Sequence, residues 1–490
     1  MESFISEAIT VITVWLQVIA FLVILYYLCI SFFGIYRKKE KQFDNVPDKT
    51  FALVVAAHNE EVVVEQIVES LKRLDYNREL YDIFVIADNC TDSTAELARN
   101  AGALVCERFD PDKRGKGYAL EWMFDKLFRM DKRYDAVVVF DADNLASKNF
   151  LSAMNLKLKE GYKVVQGYLD SKNPHDSWIT ESYSIAFWSN NRLFQLARNN
   201  LGLSNQIGGT GFCIDTDTLK ELGWGATCLT EDLEFTCKLV LNGHRVGWAH
   251  DAVIYDEKPI TLKQSWNQRK RWMQGFADVA SRFFFKLLKK AFKERSWRAF
   301  DCALYTIQPY VTILAGICVV LTGIQLLGAN MIFVLTNWFN SDNIIYFQLF
   351  AVFQFLFTPI IMAIDKKVSK RLVLYFALYS SNILLFGKIN AYFMNKLNVD
   401  KDVFSLELML IMGSISLLFL AICIGIAFID NKTTGKVFIW YLLYSIYVLT
   451  WFPITIQAIL DKDNKEWSHT KHTRGISINE LENIDEKSVA

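Results

Sequence analysis

Asp141-Ala-Asp143 places two carboxylates at alternate positions directly after the apolar run Val137-Val-Val-Phe140. Alternate residues of an extended chain lie on one side, so both can reach into one cleft and share a divalent cation through hard oxygen ligands. Magnesium favours few carboxylates and completes its shell with substrate phosphates, so the implied substrate is a diphosphate. Two further acidic clusters stand beside it. Asp88 closes Ile83-Phe-Val-Ile-Ala87 and is followed by Asn89-Cys-Thr-Asp92, and Thr230-Glu231-Asp232 starts a helical pattern that runs to Leu241. One acid after a strand is commonly a turn former or helix cap. Three clusters along one sheet point instead to a site. The basic, glycine-punctuated Lys113-Arg-Gly-Lys116-Gly117 offers counter-charge and close backbone approach to phosphates, with a plain basic loop as the competing reading.

A different kind of signal lies at Trp266-Asn-Gln268-Arg-Lys-Arg271-Trp272-Met-Gln-Gly275. Cations interleaved with Trp beside apolar helices suit a membrane-surface anchor.

The elements that must position these residues alternate in type. Phe51–Ala57 reads as a buried strand, Glu60–Leu74 as an amphipathic helix, Tyr81–Ala87 as a strand and Ser93–Asn100 as a helix. Leu104–Cys106 (strand), Lys116–Arg129 (helix) and Ala136–Phe140 (strand) continue the pattern. Near-continuous apolar strands separated by helices predict a mostly parallel sheet covered on both faces, with ligands beyond the carboxyl ends of the strands, where the acids fall. Residues 178 to 205, with Trp178, Tyr183, Phe187, Trp188 and Phe194, are helical in spacing and fit a core helix or an interfacial one. His250 is expected at a strand end.

At 490 residues the chain is long enough for more than one domain, and 53 Lys and Arg against 53 Asp and Glu give no sign of a nucleic-acid partner. The nine cysteines are scattered and never form a CxxC pair, so they read as reduced thiols rather than a zinc site or disulfide framework. Apolar stretches of about 20 residues, enough to cross a bilayer, mark an integral membrane protein with a polar middle. The run 8–35 is followed by Arg37, Lys38, Lys39 and Lys41, which predicts a retained helix and a cytoplasmic middle. Further spans are expected at 303–327, 344–364, 405–429 and 436–460, five in all, with a cytoplasmic tail. The run 372–395 carries Asn382, Lys388 and Asn390 and fits either a surface-lying helix or one lining a polar channel. The expected divisions are 1–40 (first span and basic flank), 41–265 (catalytic domain), 266–300 (interfacial helices), 301–460 (transmembrane region) and 461–490 (tail).

Taken together, Asp88, Asp141-Ala-Asp143, Thr230-Glu231-Asp232 and Gln268-Arg-Lys-Arg271-Trp272 resemble the D, DxD, TED and QxxRW set of the processive family 2 glycosyltransferases, the membrane synthases of cellulose, hyaluronan, chitin and related β-glycans. The resemblance covers roughly residues 50 to 280 by motif and the rest by helix layout. It implies an α/β GT-A catalytic domain combined with an α-helical transmembrane domain and interfacial helices. It implies a UDP-sugar donor, a growing polysaccharide acceptor, a lipid bilayer and Mg2+ or Mn2+; accessory subunits are unspecified. Asp232 would be the general base, with Glu231 and Thr230 beside it. Asp88, Glu60, Lys113, Lys116 and Asp141 would face the nucleotide, though Ala56 and His58 replace the commoner Pro and Tyr of the first loop. Asp143 with Asp141 would hold the metal. Gln268, Arg271 and Trp272 would cover the diphosphate and the acceptor end, together with Gly209, Thr210 and Gly211 of the acceptor-side loop. The Thr-Glu-Asp form is more similar to glucan synthases, which implies UDP-glucose, with UDP-N-acetylglucosamine as runner-up. The alternatives are a single-transfer enzyme on a lipid-phosphate acceptor and a non-catalytic UDP-sugar-binding transporter. Trp467–Arg474 reads as a solvated terminal tail; it also resembles the gating segment that closes over UDP-sugar in cellulose-synthase-like enzymes.

Overall fold

The computed structural model describes residues 2–38, 47–225, 228–326, 344–396, 406–461 and 472–481. Two compact units divide them: residues 24–313 with 450–461 and 472–481 form one, and residues 2–23 with 314–449 form the other.

The first unit is built on an eight-stranded sheet in the order β3-β2-β1-β4-β7-β6-β8-β5. Its strands are β1 (Phe51–Ala57), β2 (Tyr81–Asp88), β3 (Leu104–Arg108), β4 (Ala136–Asp141), β5 (Leu145–Ala146), β6 (Val164–Ser171), β7 (Phe212–Asp215) and β8 (Val246–Asp256). Strands β3, β2, β1 and β4 run parallel as expected. The other half is mixed, because β7 runs antiparallel to both β4 and β6, and β5 antiparallel to β8. An apolar run reports burial and not direction, so the sequence could not distinguish the two halves.

Both sheet faces are covered. Alternate residues Leu53, Val55, Ile83 and Val85 pack against α2 (Val64–Lys72) and α5 (Phe150–Lys159). Residues of the opposite parity, Val54, Phe84 and Ile86, pack against α4 (Lys116–Phe128) and α9 (Glu231–Leu241). Short helices α3 (Thr94–Asn100), α7 (Ala197–Leu201) and α8 (Thr216–Leu222) fill the connections. The register pairs Ala57 with Ala87 and Ala56 with Asp141, so Asp88 and Asp141 emerge on either side of the β1 end.

The aromatic stretch from 178 resolves into α6 (Trp178–Ser189), a π-helical segment Asn190–Leu196 and α7, and it leaves helical geometry at Gly202. Eight of the twelve α6 residues are buried, which makes it a core helix. His250 lies inside β8 rather than at its end, next to the irregularity in the β6 pairing at Gly167 and Tyr168, and its Nδ1 accepts from Trp248 Nε1 at 3.2 Å.

Helix α10 (Leu262–Lys293) opens with a capping box, in which Thr261 and Gln264 satisfy each other's backbone amides. Its inner face, Val279, Phe283 and Leu287, packs with Leu233, Cys237 and Val240 of α9 and with Cys302 and Ala303 of α11 (Trp297–Thr306). A fully buried ion pair fixes α11: Arg198 Nε and Nη2 donate to Asp301 at 2.8 and 2.9 Å, and Tyr26 of α1 (Glu2–Ser31) adds a hydroxyl bond at 3.0 Å.

Three described helices are long and apolar enough to cross a membrane: Val14–Gly34, Gly413–Asp430 and Lys432–Leu460. The span expected at 303–327 starts earlier and is broken, with α11 and α12 (Gln308–Leu326) meeting at 62°. Pro309 has no amide hydrogen for the carbonyl four residues back, so the helix cannot continue through it. In the second unit the helix Ile344–Ile364 has the expected bounds, but its apolar part, Gln348–Ile364, is shorter than the helices able to cross a membrane. The run left ambiguous forms one helix, Lys370–Lys396, where Asn382 Nδ2 donates to Ser416 Oγ at 2.6 Å. Tyr441 of the helix Lys432–Leu449 donates to the Phe355 carbonyl at 2.8 Å.

Removing one partner of a buried ion pair strands the other charge. Arg198→Ala should therefore cost about 3–5 kcal/mol, and Arg198→Met with Asp301→Leu much less. Thermal unfolding midpoints that fall no further for the single variant than for the double one would contradict this.

Candidate active site

Each acid cluster is held by its own local hydrogen bonding. Asp88, buried at the end of β2, accepts from Arg108 Nη1 at 2.6 Å and from Asn89 Nδ2 at 3.1 Å. Arg108 also donates to Asp110 at 3.1 Å and to the Lys113 carbonyl at 2.8 Å, so one guanidinium ties Asp88 to the basic loop. Lys113 itself is exposed. Asp141 and Asp143 flank a turn in which Asn144 Oδ1 and Thr210 Oγ1 both accept from the Asp141 amide at 3.0 Å. Asp143 is 5% exposed; its Oδ2 accepts from the Glu257 amide at 2.8 Å.

Lys116 joins the clusters. Its Nζ donates to Asp141 Oδ1 and, at 2.6 Å, to the Gly209 carbonyl of the loop 208–211. Burial acts to lower its pKa, but the negative charges of Asp141, Glu231 and Asp232 outweigh that and leave Lys116 above the usual lysine range. Gly209 and Gly211 adopt φ of 81° and 62°, where side-chain-bearing residues are strained. A Cβ on Gly209 would stand 3.5 Å from Asp232 Oδ2, so the Asp232 carboxylate lies over this loop. Burial first, and then the Glu231 charge, push Asp232 up to about 7.

Helix α10 brings the third group of residues to the same end of α9. A Cβ at Gly275 would meet Thr230 Oγ1 and Cγ2 at 2.5 Å, so only glycine allows the two helices this approach. One turn earlier, Trp272 sits among Tyr183, Phe187 and Trp451, with ring centroids 6.2, 6.4 and 6.5 Å away. Gln268 Oε1 accepts from Tyr183 Oη at 2.8 Å. Arg271 keeps a buried Nε without a hydrogen-bond partner among the described residues, and its charge acts on Glu231. Of the other tryptophans singled out by sequence, Trp188 is buried and donates to Asp170 at 2.6 Å, and Trp266 donates to Gln457 at 2.7 Å.

Among the described residues no three His, Cys, Asp or Glu groups converge as a metal cage. The pair Asp141 and Asp143 still fits Mg2+ or Mn2+, whose remaining positions substrate phosphates and water fill. Burial and then, against the Lys116 charge, the neighbouring Asp143 charge raise Asp141. Asp143 is instead lowered, because the cations His472, Lys172 and Lys258 outweigh its burial.

Several residues here carried no sequence signal beyond an acid after a strand or a lone cation. Asp256 ends β8 and Glu257 follows it. Lys258 is buried against Asp256 at 2.5 Å with Nζ 3.4 Å from the Phe187 ring centroid. Glu257 accepts from the amides of Thr473 at 3.1 Å and Arg474 at 3.1 Å, and Glu60 pairs with His472 at 2.9 Å. Residues 472–481 are thus docked and not solvated. Ile478 and Leu481 anchor them on Leu145 and Tyr255, an apolar pair whose partners lie more than 200 residues away in sequence. Trp467 and His469 lie outside the described residues.

Residues 47–275 match the family described as "Glycosyltransferase like family 2". The chain is 28% identical over 273 residues to the beta-monoglucosyldiacylglycerol synthase of Nostoc sp. (strain PCC 7120 / SAG 25.82 / UTEX 2576), covering 54% of this chain and 57% of that protein. It is 26% identical over 266 residues to the poly-beta-1,6-N-acetyl-D-glucosamine synthase of Staphylococcus aureus (strain COL), covering 52% and 61%. The matches thus span under two thirds of these relatives. Among solved structures, the mannosyltransferase PcManGT from Pyrobaculum calidifontis, in complex with GDP-Man and Mn2+, aligns over 64% of this chain and 86% of its own at 17% identity, with a TM-score of 0.48.

Loss of the Glu257 carboxylate removes charge-assisted bonds, each worth roughly 1.5–3 kcal/mol. Glu257→Ala should therefore raise the rate of limited proteolysis within 472–476 by about tenfold or more; a wild-type rate would show that Ile478 and Leu481 alone hold the segment.

Proposed function

We propose that this chain, which belongs to glycosyltransferase family 2, is an inverting membrane enzyme that builds a β-linked polysaccharide from a UDP-sugar, most simply UDP-glucose. Its fold is a GT-A domain joined to helices able to cross a membrane. The observation that carries the proposal is Asp232, a carboxylate held over Gly209 in the same buried charge cluster as Lys116 and Asp141.

A sugar hydroxyl is a weak nucleophile, and a carboxylate within hydrogen-bond reach must accept its proton as it attacks. Asp232, poised near neutrality, suits that task. In the reaction the acceptor oxygen forms a bond to the anomeric carbon, the bond from that carbon to the diphosphate breaks, and the hydroxyl proton passes to Asp232. Attack opposite the leaving group inverts the centre, so an α-linked donor gives a β-linkage. Lys116 and Arg271 supply fixed positive charge where the departing diphosphate becomes more negative. A divalent cation held by Asp141 and Asp143 would add Lewis-acid stabilisation of that charge. Asp88 and Glu60 would face the nucleotide, and Trp272 would offer its ring to the acceptor sugar. The division at 41–265 and 301–460, a multi-pass plasma-membrane location and a cytoplasmic catalytic domain belong to the same proposal, supported by the Arg37–Lys41 cluster after the first apolar helix.

A second reading is a single transfer onto a lipid, favoured by the likeness to the beta-monoglucosyldiacylglycerol synthase. Incubating the purified chain with UDP-glucose or UDP-N-acetylglucosamine and sizing the product separates the two: polymer supports the first, one sugar on a lipid the second.

Asp232→Asn should lower transfer by at least about 10³-fold, within the range expected for a lost catalytic base, and leave UDP affinity largely intact; wild-type turnover in this variant would remove Asp232 from the mechanism. Turnover should rise with pH through about 7 as Asp232 loses its proton. Glu231 is one of the charges holding that value up, so Glu231→Gln should move the acid limb of the pH–rate profile to lower pH. A shift to higher pH, or none, would contradict the electrostatic coupling.

A further inference from the structure

Helix α10 changes character along its length. In its first half the cations and tryptophans meet protein partners: Trp266 donates to Gln457 at 2.7 Å, Arg269 to Thr450 at 2.8 Å, and Lys270 pairs with Asp461. Beyond Arg282 the outward face is different. Phe285, Lys289 and Phe292 follow one another at i, i+4 and i+7 and so share a face. That face is opposite Phe283, Leu287 and Ala291, which are buried. Phe285 and Phe292 are 76% and 73% exposed, and Trp297 at the start of α11 is 68% exposed. Large apolar side chains clustered in this way on a surface mark a docking site rather than a solvated face.

The charge around these rings is one-sided. Residues 286–298 carry six Lys and Arg against one carboxylate, Glu294. Glu294 is already paired with Lys290 at 2.6 Å. Lys286, Lys289, Lys293 and Arg295 have no acidic partner among the described residues. The patch also continues into a segment able to enter a bilayer. The Trp297 ring lies 5.3 Å from that of Phe300, and Phe300 lies 6.1 Å from Tyr26 of α1. Tyr26 belongs to Val14–Gly34, which is long and apolar enough to cross a membrane.

We propose that the outward face of α10 from Phe285 onward, with Trp297 of α11, docks on a leaflet of anionic phospholipids. Phe285, Phe292 and Trp297 enter the acyl boundary, and Lys286, Lys289, Lys293 and Arg295 meet the headgroup phosphates. A zwitterionic headgroup cancels its phosphate with its own cation, so a net negative leaflet is what this surface selects. Each lysine near such a leaflet strengthens the attraction by roughly fivefold. The buried face of the same helix packs on α9, so the leaflet supports the helix that carries Gln268, Arg271 and Trp272. This inference rests on the reading of Val14–Gly34 as a membrane span and not on the reaction.

The test uses the full-length chain in lipid nanodiscs, made either of phosphatidylcholine alone or of phosphatidylcholine and phosphatidylglycerol in equal parts. Glu294 is exposed at the end of α10, so cleavage after it by a glutamyl endopeptidase reports whether the face is covered. Cleavage should be slower by about tenfold or more with phosphatidylglycerol present. Sodium chloride at about 1 M should shrink that difference to within about twofold, because it screens charges beyond a few ångströms. The triple variant Lys286→Gln, Lys289→Gln, Lys293→Gln should lose the phosphatidylglycerol effect while its thermal midpoint stays near wild type, since all three side chains are outside the core. The double variant Phe285→Ser, Phe292→Ser should be cleaved faster than wild type in both lipids. Equal wild-type cleavage in the two lipids overturns the proposal, and so does a triple variant that keeps the full effect; either result would leave the face to water or to a protein partner. Failure of the underlying reading looks different, since a chain that stays soluble without detergent or lipid sinks the membrane span and this surface with it.

Discussion

Helix α10 reaches the acidic end of α9 only because residue 275 carries no side chain. Any Cβ there would stand 2.5 Å from Thr230, closer than packed atoms tolerate. That contact sets the depth of the 32-residue helix against the sheet domain, and with it the positions of Gln268, Arg271 and Trp272 one and two turns earlier. The helix in turn organises what packs on its other side. Arg269, fully buried, donates to Thr450 Oγ1 at 2.8 Å and lies 5.1 Å from the Trp451 ring centroid, while Trp451 stacks on Trp272. One small residue thus joins the helix bearing Asp232 to the helix bearing Trp272.

Charge balance is the second constraint. Asp141, Asp143, Glu231 and Asp232 crowd a low-dielectric space in which like charges disfavour one another and burial disfavours them all. Lys116 compensates from one side; His472, Lys172 and Lys258 compensate Asp143 from another. A pocket arranged in this way holds Asp141 above the usual carboxylate range through burial and its Asp143 neighbour. It also keeps Asp232 near neutrality, where a carboxylate serves best as a proton acceptor.

Much of this was legible in the sequence. Apolar runs located β1 to β4 within a residue or two, because a buried strand and an amphipathic helix have different periods, whereas β5 to β8 were not located. The acid clusters were visible because they follow those runs directly, and the strand register brings Asp88 and Asp141 to the same end of the sheet. What escaped depended on partners far along the chain. Strand direction in the β7–β6–β8 half leaves no mark on residue type. Arg108 reads as an ordinary strand-end cation until Asp88 is found 2.6 Å away. The docking of 472–481 rests on Glu257, Glu60 and Leu145, none of them predictable from a charged chain end. Gly275 reads as a mild helix weakener, and only the approach of Thr230 shows why no other residue fits.

The central claim is that the base on α9 and the QxxRW cover on α10 act as one site through that glycine. Turnover of Gly275→Ala in the purified chain tests it most directly. Glycine to alanine inside a helix ordinarily stabilises it by up to about 1 kcal/mol, so a loss here would come from the contact and not from the helix. A fall in sugar transfer of about tenfold or more, with UDP affinity and thermal midpoint near wild type, is the result expected. Wild-type turnover in this variant would show that the two helices do not depend on each other and would contradict the claim.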